Sequence, residues 1–200
     1  LISKKMDVKK SNLALMYQTH SKKVIEIKKN YLKKKIYSDA IITKTTNLAL
    51  CVVTADCVPI LLYDYINNIV GCIHAGWKGA YSGIIENTII KMNKINSNNK
   101  IIACIGPCIG KNSYEVDINF YKKFQAQTKK NKKYFFKKNK SKLLFDLRGY
   151  VSDKLVKYNI KVDHVNRDTF KDKRNFFSYR RATLLKQKDY GRCISVIKLV

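Results

Sequence analysis

Three segments of the chain interrupt apolar stretches with side chains able to bind a metal: Gln18-Thr19-His20, Thr54-Ala55-Asp56-Cys57 and His74-Ala75-Gly76-Trp77-Lys78-Gly79. Imidazole nitrogen and thiolate sulfur are good zinc ligands. Three protein ligands leave a fourth tetrahedral direction for water or substrate, the arrangement that separates a catalytic site from a closed structural one. His20, Cys57 and His74 follow no short-range ligand motif, and a lone histidine among apolar residues serves equally as a satisfied core residue. A second chemistry uses the same side chains, with Cys57 as nucleophile and His74 as its base. The third segment adds an anion-binding reading. Gly76 and Gly79 flank a turn into a helix expected from about Ala80, where unpaired amides and the charge of Lys78 would suit phosphate. Glycines that only let the backbone turn, with Trp77 in the core, fit the same residues.

Positioning these segments falls to the elements around them. β-branched and alternating apolar runs predict strands at about 40–45, 48–53, 59–63, 69–74, 101–105, 160–165 and 194–200. Helical spacing covers about 81–92, 119–129 and 147–158. Each metal-capable residue of the second and third segments thus sits at a strand end. Helices interleaved with strands indicate a mixed α/β or α+β sandwich. No Pro- or Gly-rich linker divides the chain and no internal repeat is evident. Pro59 and Pro107, the only prolines, mark turns beside cysteines.

The strings TADCVPILLYD (54–64), GCIHAGWKGAYSGIIENTI (71–89), IGPCIGKNSYEVD (105–117) and FFSYRR (176–181) resemble a family known variously as multicopper polyphenol oxidase or laccase-like, purine nucleoside phosphorylase, and peptidoglycan editing factor. The resemblance runs in order from about Gln18 to the C-terminus. It implies an α+β fold, a four-layer α-β-β-α sandwich with mixed sheets, in one domain spanning residues 1–200. It implies His20, Cys57 and His74 as ligands of one zinc, with copper the alternative. It further implies phosphorolysis of adenosine, inosine and methylthioadenosine, with adenosine deamination as a second activity. Breaking a glycosidic bond passes through a cationic sugar, so such a site must hold phosphate close and stabilise charge on the departing purine. Cys57, His74 and Glu115 are then the expected catalytic residues, and Lys78, Arg180 and Arg181 the expected substrate-binding ones. Glu115 has a surface salt bridge as its plainer role, and Arg180 and Arg181 could simply close a loop. Three positions depart from the family pattern: Lys78 stands where arginine is usual, Ser113 where cysteine is usual, and the region before Gln18 is shorter than expected. Lysine keeps the charge but loses bidentate phosphate geometry. His164 lies outside every matched string and is expected to be structural or exposed.

Composition narrows the alternatives. Two hundred residues, 46% hydrophobic, suffice for one core. No apolar run reaches membrane-span length, no signal-like N-terminus is evident, and the six cysteines form no ribbon-type pair, so reduced thiols and a cytoplasmic location are the expectation. The net charge of +27 invites a nucleic-acid reading. Lysine outnumbers arginine almost six to one alongside abundant Asn and Ile, which fits a solvated surface from an A+T-rich coding bias better. The densest block, KKNKKYFFKKNKSK (129–142), offers Tyr134, Phe135 and Phe136 for stacking on bases, or forms an exposed loop or frayed helix end. Three histidines in the whole chain cannot supply the several sites of a multicopper oxidase. The competing functions are therefore a Cys-His hydrolase or deamidase acting on peptidoglycan-related amides, and a non-enzymatic basic binding module.

Overall fold

The computed structural model describes residues 1–28 and 35–200. A six-stranded mixed sheet forms the centre, in the order β11 (Lys161–His164), β7 (Ile101–Ile105), β5 (Val58–Asp64), β6 (Ile69–Ala75), β3 (Ala40–Thr43) and β2 (Val24–Glu26). β5 and β6 form an antiparallel hairpin in register from Val58 opposite Ala75 to Asp64 opposite Ile69. β3 runs antiparallel to β6, and the outer pairs β2–β3 and β7–β11 are parallel. All seven residues of β6 are buried. That explains its near-continuous apolar sequence: a strand covered on both faces has no solvent side to alternate with.

One face of this sheet packs against α3 (Ile84–Ile95) and α5 (Leu147–Val156). The other packs against a three-stranded sheet of β1 (Leu13–Leu15), β4 (Ala49–Thr54) and β12 (Cys193–Ile197), with Ile41, Leu50, Val52, Val70 and Cys72 between the two sheets. The architecture is α+β with mixed sheets, as expected, and this packing accounts for a helical layer and two sheet layers. A third sheet, β8 (Glu115–Asp117), β10 (Lys142–Phe145) and β9 (Phe135–Lys137), supports α4 (Ile118–Gln127) over an aromatic cluster of Phe120, Phe124, Phe135 and Phe145.

Two expectations need correction. The helix expected over 81–92 is two helices, α2 (Trp77–Ser82) and α3, separated at Gly83, whose φ of 99° only glycine adopts without strain. α2 begins three residues before Ala80, so Gly79 lies within a helical turn and does not flank its entry. The lysine-rich block is an exposed loop only over residues 138–141: before it, a 3-10 helix over Lys129–Tyr134 leads into β9. Tyr134 and Phe135 are buried there, and Tyr134 donates to Asp153 at 2.7 Å, so only Phe136 of the three rings is exposed. Apolar side chains with packing partners of their own are not available to stack on bases.

β6 ends where β3 and β5 begin, because both neighbours run antiparallel to it. The last residues of β6, His74 and Ala75, and residues just outside the strands at that end, Asp39, Cys57 and Gly76, therefore converge.

Candidate metal centre

His74 is the penultimate residue of β6 and only 3% exposed. Cys57 immediately precedes β5, and His20 lies in the loop between β1 and β2. One ligand atom from each of the three lies within 4.8 Å of the others, and this is the one group of three or more His, Cys, Asp or Glu so arranged among the described residues. Cys57 Sγ is 3.7 Å from His20 Nε2, and the two imidazole rings meet edge to face with centroids 4.7 Å apart. Tetrahedral zinc with ordinary Zn–S and Zn–N bonds sets an S···N separation of about 3.6 Å. The donor set fits zinc, and the Cys57–His20 separation matches the tetrahedral value. Copper takes the same ligand types.

A residue that sequence reasoning missed assembles this group. Asp39, fully buried just before β3, accepts from His74 Nδ1 at 2.8 Å and from the backbone amides of Thr19, His20 and Ser21 at 3.2, 2.9 and 2.6 Å. The Ser21 hydroxyl adds a bond of 2.7 Å. One carboxylate thus orients one imidazole, leaving its Nε2 free, and folds the loop that carries the other. That loop holds His20 at φ 59°, a left-handed conformation that the amide–carboxylate bonds sustain. Burial opposes ionisation of Asp39, but the hydrogen bonds from His74 and Ser21 outweigh it and hold the pKa at about 2. Burial likewise opposes charge on His74, yet its bonds to Asp39 and Cys57 raise it to about 9. For Cys57 the bonds and charges of His20 and His74 overcome burial and bring the thiol down to about 7. The contrast with Cys51 and Cys108, which burial pushes up to about 11, separates one reactive thiol from structural ones.

Gly76 is needed for this closeness. A Cβ there would lie 2.6 Å from His20 Cδ2 and 2.9 Å from Cys57 Sγ. Gly79 packs similarly against the Ser21 carbonyl, 3.2 Å from where its Cβ would stand. Both glycines of the HAGWKG string serve the approach of chain segments around the trio.

Asp56, next to Cys57 and itself at φ 80°, anchors the C-terminal segment. Its carboxylate accepts from Thr169 Oγ1 at 2.7 Å, Ser178 Oγ at 2.9 Å and the Arg180 amide at 2.6 Å. Those bonds bring Arg180 to the site, where its guanidinium lies over the Tyr114 ring, 5.3 Å from the centroid, and donates to the Glu115 carbonyl at 2.8 Å. Arg181 is occupied otherwise: it donates to the carbonyls of Thr169, Phe170 and Phe176 at 2.6–2.7 Å and so closes a turn. Glu115 is not with the trio either. Its side chain is ion-paired with Lys138 and, at 3.9 Å, with Lys142 on the β8–β10 side, and the Lys138 bond holds its pKa below the usual carboxylate range. Ser113 donates to Asp168 at 2.6 Å, a bond that fixes the loop before Tyr114. His164 is exposed, 3.4 Å from the Ser152 hydroxyl.

Two cavities open on the cluster, His20 and Cys57 lining both and His74 only one. One, of about 210 Å³, has flat and apolar walls from Trp77, Ile109, Tyr114 and Leu147, with Arg180 beside them. The other, of about 680 Å³, is bounded by Tyr17, Lys78, Tyr190 and Arg192. His20, Cys57, Trp77 and Tyr179 line both.

Mixed sheets and a His-Cys-His cluster at a sheet end, opening on two cavities, define the chain as an α+β protein with a candidate metal centre. The chain belongs to the family described as multi-copper polyphenol oxidoreductase laccase, which matches residues 1–200. It is 33% identical over 191 residues to a Rickettsia conorii protein named purine nucleoside phosphorylase, covering 94% of this chain and 79% of that one. It is 31% identical to Escherichia coli (strain K12) purine nucleoside phosphorylase YfiH, covering 92% and 72%. Among solved structures it resembles Bacillus licheniformis hypothetical protein YfiH, with a TM-score of 0.88 at 26% identity over 100% of this chain and 78% of that chain. No helix among the described residues is long and apolar enough to cross a membrane.

Proposed function

We propose that the protein is a zinc-dependent purine nucleoside phosphorylase acting on adenosine, inosine and methylthioadenosine, with adenosine deamination as a second activity. The observation that carries this reading is the convergence of the His20, Cys57 and His74 ligand atoms within 4.8 Å at the junction of two cavities; the names of the relatives supply the substrate class. Bound there, zinc supplies a Lewis acid with one exchangeable position. The protein's own groups do the rest. Asp39 fixes the His74 ring so that only Nε2 faces the site, the usual support of a ligating histidine. Trp77 and Tyr114 supply aromatic lining for a purine in the smaller cavity, and Arg180, over the Tyr114 ring, keeps that wall in place. Lys78 brings positive charge to the larger cavity. Of the other residues expected to act directly, Glu115 and Arg181 are committed to surface and turn contacts and are left out of the mechanism.

One observation favours the thiol reading: Asp39, His74 and Cys57 also satisfy the order of a carboxylate–imidazole–thiol triad. His20 weighs against it, since such a triad has no use for a second imidazole 3.7 Å from the sulfur. Incubation of zinc-loaded protein with adenosine or inosine, with and without phosphate, followed by chromatography, separates the two. We expect phosphate-dependent release of base and ribose 1-phosphate, lost together with zinc in Cys57→Ala. Absence of turnover by zinc-loaded protein would reject the phosphorylase, and full activity in strong chelator would favour the thiol.

A further inference from the structure

The two cavities differ in chemistry as well as size. The smaller is walled by Trp77, Tyr114, Ile109 and Leu147, and the two charged residues on its lining, Arg180 and Asp56, are bonded to one another through the Arg180 amide. The larger has two cationic side chains on its lining, Lys78 and Arg192, and no carboxylate among its lining residues. Arg192 is placed there by its neighbours. Its guanidinium stacks on the Tyr190 ring, 3.6 Å from the centroid, and one nitrogen, Nη1, donates to the Tyr190 carbonyl. Among the described residues, Nε and Nη2 donate to no protein atom. Gly191 sets the position of the whole turn, because a Cβ there would fall 2.5–2.6 Å from carbons of the Phe177 ring. Arg180 and Arg181 have backbone carbonyls for partners. The arginine with unspent donors in the larger cavity is therefore one that the family-like strings do not contain.

We propose that Arg192, together with Lys78, forms the subsite for inorganic phosphate in the larger cavity, opposite a purine subsite in the smaller one. The inference rests on the phosphorylase reading and deepens it. Displacement at a sugar carbon places the incoming and departing groups on opposite sides. A phosphate oxygen forms the bond to C1′ while the C1′–N9 bond breaks; the electron pair leaves with the purine, which takes up a proton from solvent or from dihydrogen phosphate. Two cavities that share His20, Cys57, Trp77 and Tyr179 as a common wall provide those two sides, with the sugar between them. A guanidinium pre-set by stacking contributes charge-assisted, directional bonds that Lys78 alone lacks.

Trp77 is the sole tryptophan and lines both cavities, so its fluorescence reports on each. Zinc-loaded wild type, Arg192→Gln, Arg192→Lys and Lys78→Gln are titrated separately with inorganic phosphate and with inosine. Because Arg192 is exposed, its variants are expected to keep the wild-type melting profile. Arg192→Gln should weaken phosphate binding at least tenfold and leave inosine binding within twofold, and Arg192→Lys should recover part of the loss. Unchanged phosphate binding in Arg192→Gln, an equal loss for inosine, or no phosphate binding by wild type would each overturn the proposal. A wild type that binds phosphate through Arg192 yet releases no base would keep the subsite and reject the phosphorylase. Base release with an unaltered KM for phosphate in Arg192→Gln would do the reverse.

Discussion

Two buried aspartates flank the candidate metal centre, and they do different work. Asp39 accepts from an imidazole and from the loop that bears a second one, all within 35 residues of it along the chain. Asp56 accepts from two hydroxyls and an amide between 113 and 124 residues away. The hydrogen-bond partners of Asp56 are neutral, and its carboxylate chiefly fixes geometry: it staples the 169–180 segment beside the cluster. One partner of Asp39 titrates, so that carboxylate also sets the charge and basicity of a proposed ligand. The same side chain, buried in both places, is chiefly an electrical element in one and a mechanical one in the other. The identity of the donor decides which.

The largest effect that could break this distinction is expected for Asp39→Asn. Loss of the negative charge and of one acceptor should weaken zinc binding by about 10–100-fold, measured by competition with a chromophoric chelator. With its pKa at about 2 against an ordinary 3.8, Asp39 contributes stability that is present above about pH 4 and disappears as pH falls toward 2. The contribution is on the order of 2 kcal/mol. The variant should lack that stretch of pH dependence in acid denaturation curves, and wild-type zinc affinity in it would erase the electrical role. Gly76→Ala tests whether crowding at the trio is as tight as its contacts imply. Relief of an overpacked contact costs about 1–3 kcal/mol, which corresponds to roughly tenfold weaker zinc or more. Unaltered affinity would mean that His20 yields freely. Asp56→Asn should have the smallest effect at the metal: full zinc occupancy by elemental analysis, with a loss of about 1–3 kcal/mol in thermal or denaturant unfolding. Zinc loss here would show that the mechanical anchor also governs the ligands.

Where a physical rule acts locally, the chain was readable in advance. Ile101–Ile105 forms the strand its β-branched run requires, and the β5–β6 hairpin follows from two apolar runs joined across a polar turn. The trio was legible through the resemblance of its strings to a known family, whereas its spacing alone left a satisfied core histidine as an equal reading. Asp39 was not. Ser38-Asp39 before an apolar strand looks like an ordinary polar lead-in, and its importance arises only when three segments meet. Gly76 looks from sequence like a turn residue or part of an anion site for the same reason, since the atoms it must admit come from residues 20 and 57. Tyr134 and Phe135 were hidden among lysines, where composition says surface and the aromatic cluster beneath says core. Arg181 and Glu115 had plausible chemistry and no way, from sequence, to reveal the carbonyls and lysines that occupy them.

Gln18 has a consequence beyond its place beside His20. Its amide nitrogen donates to the Val53 carbonyl at 2.7 Å while its amide oxygen receives the Val53 N–H at 3.0 Å, so a side chain mimics a peptide unit laid along the rim of β4. Fraying of that rim and departure of the histidine loop are thereby the same event. Hydration reaching Val53 would loosen the cation's grip from a distance, and a captured cation would in turn keep that rim dry.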